Sequence, residues 1–243
     1  MNPLILIPAR LAATRLPNKP LADIGGEPMI VRAYKQAKLS GFRVAVAAGD
    51  PEIFEAVKAV GGEAVLTDPD LPSGSDRIRV AADLIDPHGE HDVIINVQGD
   101  MPFASPDLAR LCGALMAAEP QCDIATLVGL ETDASERTNP DVVKAVIALD
   151  ETGRSGRALY FTRSHLYGDG PVWHHVGIYG YRRQALDRFC AAPPSPLEKR
   201  EKLEQLRALE MGMQIWAAVI DEAPISVDNA EDLEAARAYA ASL

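Results

Sequence analysis

Residues Leu4 to Ile30 read LILIPARLAATRLPNKPLADIGGEPMI. The apolar run from Leu4 to Pro8 predicts a strand buried on both faces, as strands of a parallel sheet are. It stops at Pro8, and the loop that follows carries Arg10, Arg15 and Lys19 with no carboxylate between Pro8 and Lys19. In an open α/β sheet ligands bind beyond the carboxyl ends of the strands, so these cations stand where a ligand would. Arginine grips phosphate oxygens through a two-pronged fork, and lysine adds a compact charge. The loop reads as a polyphosphate grip, with three solvated surface cations as the alternative reading.

Outward from this stretch, strand and helix alternate. Met29 to Leu39 has helical spacing and ends at Ser40-Gly41, and Arg43 to Ala48 is a second strand. Asp50-Pro51 predicts a capped helix closed by Gly61-Gly62, and Ala64 to Leu66 a short strand. After a loop from Thr67 to Asp76, a helix is expected from Arg77 to Ile85, with Ser75 suited to its cap. Val93 to Val97 is the most strand-like run, followed by a helix from Pro106 to Ala118 and a strand from Ile124 to Val128. Such alternation predicts a mostly parallel, doubly wound sheet. From Asn139 the pattern changes to the strand-like runs Val142 to Ala148, Leu159 to Thr162 and His175 to Tyr181, which suit a mixed sheet. Ser195-Pro196-Leu197-Glu198 is a capping box opening a helix expected to run to about Met211. Gln214 to Ile220 reads as a late strand and Asn229 to Ala241 as a terminal helix. The expected fold is α/β, a single Rossmann-like domain over residues 1–243 with a mixed-sheet insertion near 139–195 that serves as a lid or dimer surface.

Composition narrows the function. The chain has 243 residues, 47% hydrophobic and 24% charged, which are ordinary globular values. A net charge of −11 disfavours nucleic acid and membrane surfaces as partners, since both are polyanionic. An anionic substrate would need a local cationic pocket. No apolar run approaches a membrane span and no secretory leader is legible at the N-terminus, so a cytoplasmic location is expected. Cys112, Cys122 and Cys190 form no CxxC pair, so neither a disulfide framework nor a zinc site is expected.

Three further segments carry chemistry. Neither GxxxxGK[ST] nor GxGxxG is present, so a nucleotide would be held by Arg10, Arg15, Lys19 and main-chain N–H groups. Ser73-Gly74-Ser75-Asp76-Arg77 precedes a helix and suits its cap and dipole. Asn96-Val97-Gln98-Gly99-Asp100 ends the strongest strand with a carboxylate, placed either to hold Mg2+ beside phosphates or to cap a turn. Asp228 precedes the terminal helix, capped by Asn229 and Asp232, and could meet Asp100 only if the late strand returned beside the strand Val93 to Val97. Arg163, His175 and Tyr181 alternate along strands. Glu201, Glu204 and Gln205 share one helical face, for which solvation is a full explanation.

Taken together, Pro8-Ala9-Arg10, Thr14-Arg15-Leu16-Pro17, Lys19-Pro20-Leu21, Gly25 and Pro28-Met29-Ile30 closely resemble the signature of the 3-deoxy-manno-octulosonate cytidylyltransferase family, and the match continues at intervals to Glu234. The resemblance implies an enzyme that activates an eight-carbon 2-keto-3-deoxy acid sugar with CTP, using Mg2+. It implies nucleotide contacts from Pro8, Ala9, Arg10, Arg15 and Lys19, with Lys19 near the α-phosphate, and from Ser73, Gly74 and Arg77 around the base. Asp100 and Asp228 become the metal ligands and, with Lys19, the catalytic set. Gln98, Arg163, His175, Tyr181, Glu204 and Gln205 become sugar contacts, Arg163 for the carboxylate. The pattern departs at Met101, where many relatives carry an acidic residue, and across Ser164 to Trp173. A homodimer is expected. Activation of another acid sugar such as sialic acid or 8-amino-Kdo, or silent nucleotide binding, are the rival readings.

Overall fold

Strand β1, Pro3–Ala9, has Leu4 to Ile7 wholly withdrawn from solvent. Each such aliphatic side chain contributes roughly 1.5–3 kcal/mol on burial, which fixes the strand at the centre of its sheet. The computed structural model describes residues 1–12 and 16–243, so Thr14 and Arg15 of the cationic loop lie outside the described residues. The chain divides into two compact units, one formed by Met1–Arg110 with Pro224–Leu243 and the other by Leu111–Ala223.

In the first unit, β1 is followed by a hairpin of β2 (Asp23–Ile24) and β3 (Glu27–Pro28), then α1 (Met29–Lys38), β4 (Arg43–Ala48), α2 (Pro51–Ala59), β5 (Ala64–Leu66), α3 (Gly74–Ile85), β6 (Val93–Asn96) and the start of α4 (Pro106–Ala118). The hairpin turns on Gly25 and Gly26 at φ 61° and 84°, the paired positive values of the turn that matches strand twist. Strands β5, β4, β1 and β6 lie side by side in that order, all parallel. Their carboxyl ends therefore open on one edge. The chain returns to this unit at its end, and α8 (Ala230–Ser242) packs Leu233 and Ala236 with Val227 against Ile24 and Met29.

In the second unit, β7 (Ile124–Leu130), β8 (Lys144–Leu149), β9 (Ser155–Thr162), β10 (Trp173–Arg182) and β11 (Ile215–Ile220) form a mixed arrangement. Strand β7 pairs parallel with β11 and antiparallel with β10, while β9 runs antiparallel to both β11 and β8. Helices α5 (Arg183–Ala191), α6 (Pro196–Glu201) and α7 (Gln205–Glu210) complete it. The segment 139–195 falls within this unit. Cys112 and Cys122 are buried free thiols, and burial pushes Cys122 up to about 12.

Two expectations are corrected and one helix is added. Helix α3 begins at Gly74, with Ser73 as its cap, because the Ser73 hydroxyl accepts the N–H of Asp76 at 3.1 Å. Helix α5 was not read from the sequence. The helix expected from Ser195 to Met211 is broken at Lys202, whose φ of 55° ends α6 by donating its N–H to the Glu198 carbonyl. What holds the break is tertiary: Arg207 reaches back to both carboxylate oxygens of Glu198 at 2.7 and 2.8 Å and stacks over the Phe189 ring. A straight helix would carry Arg207 away from these partners.

A non-glycine residue in the left-handed region costs about 1–2 kcal/mol, part of which glycine recovers. Lys202→Gly should therefore stabilise the chain by roughly 0.5–1 kcal/mol in urea unfolding, after glycine's greater freedom in the unfolded chain is subtracted. A loss of stability would show that the lysine side chain contributes to the break.

Candidate active site

A cleft of about 260 Å3 opens beyond the carboxyl ends of β1 and β6. Pro8, Ala9 and Arg10 reach it from the end of β1, and Lys19 from the same loop. Ser73, Gly74 and Arg77 line it from the start of α3, and Gln98 and Asp100 from the end of β6. Nine of the residues singled out in the sequence thus converge on one cavity. Arg15 is outside the described residues.

Within the cleft the side chains divide by task. Arg10 is exposed at its mouth. Arg77 is buried and spent on architecture, donating to the Thr67 hydroxyl at 2.6 Å and to the carbonyls of Asp68 and Pro69 at 3.0 and 3.1 Å. Burial, and next the charge of Arg10, hold the Arg77 guanidinium below its ordinary value. The Ser73 hydroxyl donates to the Asp76 carboxylate at 2.7 Å while it caps α3. Its one proton is therefore spent within the chain, while its oxygen keeps a second acceptor position.

Lys19 stands in a short 3-10 turn, Lys19–Leu21, that follows Asn18 in a left-handed conformation. Its ammonium donates to Asp100 Oδ2 at 2.8 Å and to the Val227 carbonyl at 2.8 Å, and lies 3.5 Å from Asp228 Oδ1. The two carboxylates do meet, and by a different route from the one anticipated. Strand β11 belongs to the second unit, and it is the irregular segment before α8 that returns, fastened by the Val227 N–H to the Asp100 carbonyl at 2.9 Å. Asp228 is then fixed by its own N–H, which donates to Asp232 at 2.8 Å beside the capping box of Asn229 and Asp232. Asp228 thus immediately precedes the capped, positive end of α8.

In the second unit the remaining candidates are held as follows. Arg163 donates from Nε to the Glu201 carbonyl at 3.1 Å and from Nη1 to the Pro140 carbonyl at 2.9 Å. Close by, the fully buried Lys144 donates its ammonium to the carbonyls of Asn139 and Arg163. Neither cation makes an ion pair with a carboxylate among the described residues. Lys144 carries no signal in the sequence, where it is one lysine at the start of a strand. The expected solvated face of Glu201, Glu204 and Gln205 does not form, because the break at Lys202 separates them: Glu201 accepts from Thr162 and the Arg163 N–H, and Gln205 is buried.

His175, Tyr179 and Tyr181 stack along β10, with ring centroids 5.4 and 5.8 Å apart. A bulge makes this possible: His175 faces Val128 and Val176 faces Leu127, but Tyr179 faces Thr126, so Gly177 and Ile178 are extra. Thr126 ties the bulge, its hydroxyl lying 3.0 Å from both the Ile178 carbonyl and His175 Nε2. The single hydroxyl proton serves the carbonyl, so the imidazole fits as the Nε2–H donor. Withdrawal from water, with a smaller effect of His174, pushes His175 down to about 3. Strict alternation could not reveal Tyr179, because the bulge is set by Thr126.

The cytidylyltransferase family model matches residues 4–215. The chain is 58% identical to the 3-deoxy-manno-octulosonate cytidylyltransferase of Parvibaculum lavamentivorans over 98% of this chain and 92% of that protein. It is 55% identical to the enzyme of the same name from Rhodospirillum rubrum over 97% and 94%. The chain belongs to the 3-deoxy-manno-octulosonate cytidylyltransferase family. It is a nucleotidyltransferase by that membership. A solved structure of CMP:2-keto-3-deoxy-manno-octonic acid synthetase complexed with CTP superposes with a TM-score of 0.91 at 36% identity, covering 100% of this chain and 99% of that one. A cytidylyltransferase from Leptospira borgpetersenii shares the fold at 16% identity and a TM-score of 0.66. The fold expected from the sequence, α/β of the nucleotidyltransferase type, is thus the fold of this 3-deoxy-manno-octulosonate cytidylyltransferase family member.

A histidine whose value falls from near 6.5 unfolded to about 3 folded stabilises the fold fully above 6.5 and loses that contribution as pH falls toward 3. A His175→Gln variant should lack this component, so its unfolding free energy should fall less steeply over the same window. Parallel pH profiles for the two proteins would contradict the assignment of a neutral His175.

Proposed function

We propose that this chain transfers the cytidylyl group of CTP to 3-deoxy-manno-octulosonate, giving the CMP-sugar and pyrophosphate. The anomeric 2-hydroxyl oxygen forms a bond to the α-phosphorus as the bond to the pyrophosphate oxygen breaks, and the hydroxyl proton is released to water. The observation that carries this reading is the convergence of Arg10, Lys19, Asp100 and Asp228 at the carboxyl edge of a parallel sheet. Arg10, with Arg15, holds the leaving pyrophosphate, and Lys19 neutralises charge on the α-phosphate, where fixed charge is most effective. Ser73, Gly74 and the loop knitted by Arg77 shape the base side of the cleft.

Mg2+ belongs to this reading. Asp100 and Asp228 already approach one cation, the Lys19 ammonium, and no group of three or more His, Cys, Asp or Glu side chains among the described residues could cage a metal. Two carboxylates completed by phosphate oxygens and water suit Mg2+, so the residues fit, and Asp100 and Asp228 would hold it. When bound it supplies Lewis-acid charge that lowers the pKa of the attacking hydroxyl.

Arg163 is assigned to the acid sugar's carboxylate, with Gln98, His175, Tyr181, Glu204 and Gln205 as its further contacts. A guanidinium bound only to main-chain carbonyls supports that role, since it retains donors and its full charge. We extend the reading to lipopolysaccharide biosynthesis, a cytoplasmic location and a homodimer. In accord with it, no helix among the described residues is long and apolar enough to cross a membrane.

The test is pyrophosphate release with CTP, Mg2+ and the eight-carbon acid sugar, with UTP, ATP and sialic acid as controls. Release with the acid sugar and CTP alone is expected. Preference for sialic acid would move the reading to that sugar, and binding of CTP without release would leave only a nucleotide-binding module. Asp100→Asn and Asp228→Asn should each abolish turnover while the unfolding transition persists, each removing one charged ligand. Near-normal rates at saturating Mg2+ in either variant would remove that carboxylate from the site.

A further inference from the structure

Asp50 stands at the cap position of α2, where the sequence predicts that its side chain closes the helix end. It makes no capping bond. Its Oδ2 instead accepts the main-chain N–H of Leu11 at 2.7 Å, the residue after Arg10 in the cationic loop. One residue earlier at the end of β4 and two earlier at the end of β1, the Gly49 N–H donates to the Ala9 carbonyl at 2.8 Å. The loop thus leaves β1 under a double fastening to the end of β4, one main-chain bond and one charge-assisted bond.

Gly49 belongs to the same device. A Cβ there would stand 2.7 Å from Arg77 Nη1 and 3.1 Å from Arg10 Cβ, so the missing side chain lets the buried guanidinium lie against the stem of Arg10. Two like charges are thereby brought together in a cleft where Arg10 lowers Arg77 and the carboxylates of Asp50 and Asp68 oppose it. A carboxylate beside a site for a polyanion works against the ligand through repulsion. It is tolerable where the geometry it imposes is worth more than the charge it adds.

We propose that Asp50 is a positioning residue for the nucleotide: it fixes the Leu11 N–H so that Arg10 starts from a set backbone position, and it balances Arg10 against Arg77 while the cleft holds no phosphate. It touches neither substrate and acts through Leu11 and Arg10. This rests on the nucleotide reading of the cleft.

The experiment is calorimetric titration of CTP with Mg2+ into the full chain, as wild type, Asp50→Ala and Asp50→Asn, with steady-state kinetics beside it. Loss of one charge-assisted bond should weaken CTP about tenfold in Asp50→Ala, raising KM for CTP while kcat and KM for the acid sugar stay within about twofold. Asp50→Asn keeps an oxygen able to accept the Leu11 N–H and should regain most of the affinity. Hydrogen exchange of the Leu11 amide in the wild type gives a readout that needs no variant to fold, and slow exchange is expected. Native CTP affinity in a folded Asp50→Ala, a kcat-only defect, an Asp50→Asn as impaired as Asp50→Ala, or a freely exchanging Leu11 amide would each overturn the inference. A wild type that binds no CTP would overturn the nucleotide reading and this inference with it, whereas wild-type binding with unaltered Asp50→Ala binding would overturn this inference alone.

Discussion

A single ammonium, that of Lys19, is shared by Asp100, Asp228 and the Val227 carbonyl, and it joins the beginning, middle and end of the chain in the first unit. Without that cation, two carboxylates would face each other at the end of a buried strand, where like charges push apart. With it, the segment before α8 is seated. Val227 is then buried among Ile24, Met29, Leu233 and Ala236, so the polar tie and the apolar contacts support one another. Lys19 is therefore at once a tether of the first unit and the cation proposed for the α-phosphate. Its side chain is 17% exposed, so the ion pair is partly shielded from water and salt.

Much of this was legible in the sequence because it is local. The apolar runs of β1 and β6, the capping boxes at Ser195 and Asn229, and the cationic loop all follow from residues a few positions apart. Among the described residues, those expected around a nucleotide converge because they lie on the connections that follow strands of one parallel set, and parallel strands present their carboxyl ends together.

What was not legible depends on partners distant in sequence. Lys202 ends a helix because Arg207 prefers Glu198 and Phe189, and nothing within α6 itself announces this. The two extra residues in β10 depend on the Thr126 hydroxyl on another strand. Asp50 has the sequence context of a cap, and its carboxylate is drawn instead to the Leu11 N–H. The meeting of Asp100 and Asp228 was anticipated as a condition on strand order, and it is met by an irregular segment held by hydrogen bonds. In each case a local preference yields to a tertiary partner, as propensities of a few tenths of a kcal/mol yield to charge-assisted bonds of about 1.5–3 kcal/mol.

The shared ammonium is open to direct measurement as a coupling energy. Lys19→Met, Asp100→Asn and the double variant can be unfolded in urea with chelator present, so that no divalent cation takes the place of the lysine. A partly shielded, directly bonded pair should give a coupling of about 1 kcal/mol or more between the two substitutions. Additive effects within about 0.3 kcal/mol would show that Lys19 and Asp100 do not depend on each other, and would contradict the account.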